Sequence, residues 1–192
     1  MELMEAIKGR RSIRNYTSKA VEDKTLNTIL EAARQAPSWA NTQCCRFIVV
    51  RDSQLRNKLA DTAIETVKGK PNRGAEAMRI TPVAIVACAE MRKAGYYMKE
   101  PGGPVTDKGD WYMYDVALAM QNLTLTAHAM GLGTVHIGAF DAIKVAEILG
   151  VPEGFAVVAM TPLGYPDEAP NPRPRKELNE IVFYDKFGGE QG

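Results

Sequence analysis

The sequence predicts one domain of the three-layer α/β or α+β class. Three observations carry this. Four apolar strand-like runs are spaced along 192 residues. Segments with helical apolar periodicity lie between them. Neither internal repeats nor low-complexity tracts interrupt the pattern. The length suits a single domain with a full core.

The elements follow in chain order. Glu2 to Gly9 places Leu3, Ala6 and Ile7 on one helical face. A second helix is expected from about Glu22 to Ala36, where Leu26, Ile29, Leu30 and Ala33 recur at helical spacing and Pro37 stops it. Arg46–Val50 reads as a strand rich in β-branched residues. Asp52 or Ser53 caps a helix carrying Leu55, Leu59, Ala63 and Val67, and Lys68 to Gly74 is a polar break. Val83–Ala89 is a continuous apolar run, as in a strand covered on both faces. Residues 90–110, rich in glycine, proline and charge, form a lid or excursion.

Trp111 to Met130 is a long helix, apolar nearly all round, which predicts a central helix or a subunit interface. Gly131-Leu132-Gly133 ends it, and Thr134–Ile137 is a short strand. Asp141 caps a helix reaching Leu149, and Phe155–Met160 is another strand buried on both faces. The tail after Gly164 carries Pro166, Pro170, Pro172 and Pro174 and cannot be helical. It turns apolar again at Ile181–Tyr184. That run needs a surface to pack on, either its own sheet edge or a partner subunit.

Charge narrows the function. Lys plus Arg is 24 and Asp plus Glu is 23, a net charge of +1, which disfavours a general nucleic-acid binder. No apolar run approaches the ~18 residues of a membrane span, and the N-terminus does not read as a signal peptide. Three cysteines, Cys44, Cys45 and Cys88, two of them adjacent, fit neither a disulfide scaffold nor a zinc site of ordinary spacing. Reduced thiols in a cytoplasmic protein are the expectation. His128 and His136, the two histidines, read as core residues, and no metal site is expected. Gly131–Gly138 is glycine-rich but follows a helix and opens a strand, the reverse of a dinucleotide-binding turn. Asp110 and Asp115 form either a carboxylate pair or simple partners of a helix dipole.

Two basic clusters stand out. Arg10, Arg11, Ser12 and Arg14 concentrate guanidinium forks and a hydroxyl at a helix end, the donor set that grips a phosphate monoester. Arg173 and Arg175 alternate with Pro172 and Pro174, which limits their range. On the residues alone, solvated basic turns are the first reading, and one anionic ligand shared by both clusters is the alternative. Between a helix and a strand, Ala36–Gln43 includes Pro37, Ser38, Asn41 and Gln43. The two amides suit the polar edge of a planar heterocycle, although Pro37, Ser38 and Asn41 also suit a plain turn.

Taken in order, four motifs resemble the FMN-dependent nitroreductase family. They are Arg10-Arg11-Ser12-Ile13-Arg14; Ala36 through Gln43; Gly131-Leu132-Gly133-Thr134 through Ile137-Gly138; and Gly164-Tyr165-Pro166 followed by Arg173-Pro174-Arg175-Lys176. The resemblance implies an α+β, three-layer α/β/α sandwich that forms a domain-swapped homodimer, with residues 165–192 wrapping the partner. It implies FMN at the dimer interface and NADH or NADPH as hydride donor. Nitroaromatics, quinones or similar small molecules would be the electron acceptors. Arg10, Arg11, Ser12 and Arg14 match positions for the FMN phosphate and ribityl groups, and Arg173 and Arg175 match basic positions near the phosphate. Pro37, Ser38 and Asn41 match a segment reaching the flavin from the other subunit. Ile137 and Gly138 match the stretch beside the isoalloxazine ring. The flavin supplies the chemistry, so no catalytic side chain is assigned.

Two features bear on what the resemblance leaves open. Cys44-Cys45 stands where the family often has a proline–aromatic pair. Tyr96, Tyr97, Trp111 and Tyr112 lie in the family's variable substrate region, as stacking residues or a local apolar cluster. The alternatives to an oxidoreductase are a flavin-binding or sensing module without useful turnover, or a phosphate- or nucleic-acid-binding protein using the two arginine clusters.

Overall fold

A computed structural model describes residues 1–99 and 102–189. Six helices and four strands appear in the order α1 (Leu3–Gly9), α2 (Asp23–Arg34), β1 (Cys45–Val50), α3 (Ser53–Ala60), α4 (Arg73–Ile80), β2 (Val83–Glu90), α5 (Tyr112–Ala129), β3 (Gly133–Thr134), α6 (Ala142–Leu149) and β4 (Phe155–Gly164). The strands form one sheet in the order β1-β2-β4-β3, with every neighbouring pair antiparallel.

Strand β2 shows why the architecture has three layers. Val83, Ile85, Ala87 and Ala89 point to one face and pack with Leu26 and Ile29 of α2 and Val116, Met120 and Leu123 of α5. Ala84, Val86 and Cys88 point to the other and pack with Leu59 of α3, Met78 of α4 and Val145 of α6. Side chains alternate along a strand, so a strand covered on both faces must be apolar throughout. The α+β, α/β/α expectation is met, although the sheet is wholly antiparallel.

Several boundaries move. Helix α3 stops at Ala60, and Ala63 instead bridges Phe140 while Val67 is exposed. Helix α4 begins within the expected polar break. Its N-cap is Asn72, whose side-chain oxygen accepts from the N–H groups of Gly74 and Ala75. Asn72 followed by Ala75, Ala77 and Met78 was the signal for it.

Strand β4 continues past Met160 through Pro162. Met160 and Ile137 exchange both backbone bonds, at 2.8 and 3.0 Å. Pro162, two residues on, turns its donor-less nitrogen to the same side. There the neighbouring strand is interrupted, because β3 holds only Gly133 and Thr134.

The apolar tail run is not a strand. Leu178–Glu180 forms a 3₁₀ turn, and Ile181, Val182, Phe183 and Tyr184 are exposed rather than seated on the chain's own sheet. Helix α5 buries Asp115, Val116, Ala119, Met120, Leu123, Thr124 and Ala127, but Met113 and Tyr114 remain exposed. Within one chain it is therefore not buried all round. His136 is also not a core residue. The residue is exposed overall, with Nε2 2.7 Å from the Thr124 hydroxyl oxygen in a partly buried contact. His128 is half-buried.

Candidate functional site

The first arginine cluster leaves α1 as an extended segment laid beside β3. Ser12 bridges Thr134 in parallel fashion, and the Ile13 N–H donates to the Thr134 carbonyl at 3.0 Å. Gly133 permits this approach: a Cβ there would stand 2.5 Å from Ile13 Cγ1. The tail is clipped to the same segment. Thr17 N–H donates to the Tyr165 carbonyl at 2.9 Å, and Asp167 N–H to the Asn15 carbonyl at 3.0 Å. The Glu168 carboxylate accepts from the Arg14 N–H and from the Asn15 N–H at 3.1 Å. These bonds steer residues 170–175 back over the end of α1.

The result is a cavity of about 630 Å³ that unites the two basic clusters. Arg10, Arg11, Ser12 and Arg14 line it together with Arg173 and Arg175. Lys8 and Arg73 join them, so seven cationic side chains (Lys8, Arg10, Arg11, Arg14, Arg73, Arg173, Arg175) face one carboxylate, Glu168. Arg11 also caps α1, donating through Nη1 to the carbonyls of Lys8, Gly9 and Arg10 at 2.7, 3.1 and 2.8 Å. Arg73 is the first residue of α4, where the helix dipole disfavours a cation. An anion in the cavity would offset that cost. Sequence reasoning missed Arg73, and a cation just after an Asn N-cap was the available signal.

The field of this cluster reaches both histidines. Partial burial, then Arg10 and Arg11, hold His128 below the ordinary histidine pKa. Burial, then Arg10, does the same to His136. Both imidazoles are therefore biased towards the neutral form.

A second cavity, of about 570 Å³, lies under the helix–strand loop. Pro37 and Ser38 line it, with Gln43, Cys45, Arg46 and Asp115. The loop is held by the Asp115 carboxylate, 2% exposed, which accepts from the Trp39 N–H with both oxygens at 3.1 Å. The Ser38 hydroxyl accepts from the Gln43 N–H at 3.0 Å. Ala40, Asn41 and Gln43 adopt φ of 43°, 56° and 50°, left-handed values sparsely populated without glycine. Such strain persists only where surrounding contacts over-determine it. Asn41 is exposed and does not line this cavity.

Other expected residues are placed elsewhere. Ile137 is buried, with its N–H donated to Met160, and its side chain abuts Gly74 at the start of α4. Gly138 is exposed and faces open space. Asp110 and Asp115 do not pair, since Asp110 accepts from the Arg92 N–H at 2.7 Å. Trp111 packs against Trp39 with ring centroids 5.2 Å apart and against Tyr114 at 5.5 Å, a local aromatic cluster; residues 100 and 101 of the expected 90–110 lid or excursion lie outside the described residues. Tyr97 is exposed.

The family model described as the nitroreductase family matches residues 7–165, most of the chain. The chain belongs to the nitroreductase family. Relatives agree over nearly full length. An NADH dehydrogenase of Thermus thermophilus is 31% identical over 198 residues, covering 91% of this chain and 92% of its own. A nitroreductase family protein of Clostridium novyi superposes with a TM-score of 0.76 at 33% identity, covering 98% of this chain and 96% of that one. The NADPH:FMN oxidoreductase of Vibrio harveyi, solved with NAD+, superposes with a TM-score of 0.78 at 30% identity. That match covers 96% of this nitroreductase and 77% of the Vibrio chain.

Proposed function

We propose that this nitroreductase binds FMN and uses NADH or NADPH to reduce small electron acceptors such as nitroaromatics and quinones. One observation carries the reading: two arginine clusters some 160 residues apart in sequence line a single cavity of about 630 Å³. A phosphate monoester, with close to two negative charges, answers a surplus of guanidinium groups that the chain itself does not neutralise. The Ser12 hydroxyl adds a neutral donor. The donor set thus fits the terminal phosphate of FMN. Arg10, Arg11, Arg14, Arg173 and Arg175 would hold that phosphate, and Arg73 would extend the cationic wall. Bound FMN supplies the two-electron redox chemistry, and the protein supplies position, charge and exclusion of water.

The loop bearing Pro37, Ser38 and Asn41 lines a cavity that shares no residue with the arginine cavity. In the reading proposed here, a second copy brings that loop to the flavin, so the working unit is a homodimer. Exposed Met113 and Tyr114 on α5, and Ile181, Phe183 and Phe187 on the tail, supply apolar surface for that contact. Residues 165–189 wrap the partner, and Ile137 and Gly138 border the ring; residues 190–192 of the expected wrapping tail lie outside the described residues. Among the described residues no helix is long and apolar enough to cross a membrane. A cytoplasmic location belongs to the same proposal.

The test is anaerobic. FMN-loaded protein is mixed with NADH or NADPH, and flavin bleaching is followed before a nitroaromatic or quinone is added. Bleaching by a nicotinamide and recovery with an acceptor are expected. Bound flavin that neither nicotinamide bleaches would make the protein a flavin-binding module instead.

A further inference from the structure

A short chain of polar side chains runs outward from the core between β3 and α5. The Thr134 hydroxyl donates to the Thr124 hydroxyl at 3.5 Å, and Thr124 Oγ1 lies 2.7 Å from His136 Nε2. Thr124 and Thr134 are each 3% exposed, whereas His136 is exposed overall. Side chains alternate along extended chain, so His136 shares a face with Thr134 and Gly138. It opposes Ile137, which packs into the layer of α3, α4 and α6.

Two contacts set this chain beside the arginine cavity. Ser12, which lines that cavity, bridges Thr134. The His128 ring, one turn along α5 from Thr124, packs on Gly9 at the end of α1, where a Cβ would stand 2.9 Å from His128 Nε2. Arg10 lies between Gly9 and Ser12 in the chain, and its charge bears on the His136 ring. A flavin whose phosphate and ribityl groups lie at Arg10 and Ser12, and whose ring borders Ile137 and Gly138, passes His136 on the way.

We propose that His136 is a positioning residue for the ribityl chain of the flavin, donating its Nδ1–H to a ribityl hydroxyl oxygen. The inference rests on the FMN reading above. Thr134 donates to Thr124, which leaves the Thr124 hydroxyl proton for His136 Nε2. A neutral imidazole that accepts at Nε2 carries its own proton on Nδ1. Burial, then the Arg10 charge, favours that neutral form. The assignment also suits the ligand. A ribityl hydroxyl is neutral and takes a neutral donor, while the phosphate beyond it takes the guanidinium groups. Thr124 acts through His136, fixing which nitrogen holds the proton and which way the ring lies.

The experiment titrates the full-length protein and its variants with FMN, with riboflavin and with lumiflavin, which lacks the ribityl chain. His136→Phe should weaken FMN and riboflavin by the same factor, about threefold to tenfold, and leave lumiflavin unchanged. His136→Asn, whose amide offers an N–H near the Nδ1 position, should recover most of that loss. Thr124→Val, remote from the ligand, should reproduce part of it. In 15N spectra of the wild-type protein the His136 proton should sit on Nδ1, and Thr124→Val should move part of it to Nε2. His136→Phe that weakens all three ligands equally, weakens FMN alone or weakens none overturns the proposal. So does a wild-type His136 protonated on Nε2. Failure of the underlying reading looks different. Wild-type protein would then bind FMN no tighter than riboflavin, with the riboflavin–lumiflavin comparison still testing His136; wild-type protein that binds no flavin overturns both.

Discussion

At the scale of single residues, unequal burial of charge separates the roles. Arg14 is half-buried, and Glu168 holds its backbone rather than its side chain, so the guanidinium is left for the cavity. Removing a charge-assisted hydrogen bond costs about 1.5–3 kcal/mol. Arg14→Ala should therefore weaken FMN binding roughly tenfold to a hundredfold, read by flavin fluorescence titration. Asp115 acts on the backbone instead. Asp115→Ala would strand the half-buried Trp39 N–H, at a cost of about 1–3 kcal/mol. Urea denaturation should show that loss, and Asp115→Asn, which retains an acceptor, should recover part of it. Gly133→Ala would drive a methyl into Ile13 and should destabilise by about 1–3 kcal/mol, measurable as a lowered urea midpoint.

At the scale of elements, α4 is a short helix set by its cap. Asn72→Ala removes the acceptor for the Gly74 and Ala75 N–H groups and should cost about 0.5–2 kcal/mol in the same measurement. Strand β2 was legible from sequence because both of its faces are covered, so its whole length is apolar. The periodicity of α2 and α5 was legible for a similar reason: each presents a buried face at helical spacing. The end of α3 was not legible. Ala63 continues the helical spacing, yet tertiary pairing with Phe140 takes its backbone. In the sequence reading strand β4 ends at Met160, two residues short of Pro162. The strand survives Pro162 because the proline nitrogen faces a gap in the neighbouring strand. The tail run Ile181–Tyr184 has the composition of a strand, but composition does not say whose sheet edge it serves. His136 looked buried from its neighbours Val135 and Ile137, and strand alternation puts it on the opposite face.

At the scale of the whole molecule, the site depends on chain ends meeting. Arg10–Arg14 and Arg173–Arg175 could be recognised separately as basic clusters. Their convergence rests on the pairing of residues 14–17 with 165–168, which no local pattern announces. Arg73 arrives from a third element and was missed for the same reason. The exposed apolar faces of α5 and the tail set an expectation for the assembly. The protein should run as a dimer in light scattering, and deleting residues 177–192 should weaken that dimer and lower FMN affinity together.

The central claim is that the converged arginines hold a phosphate. Titrating the protein in parallel with FMN and with riboflavin, which lacks only that phosphate, tests it most directly. The account predicts that FMN binds at least about tenfold tighter and that Arg14→Ala erases most of the difference. Equal affinity for the two flavins, or an FMN advantage untouched by Arg14→Ala and Arg173→Ala, would contradict it.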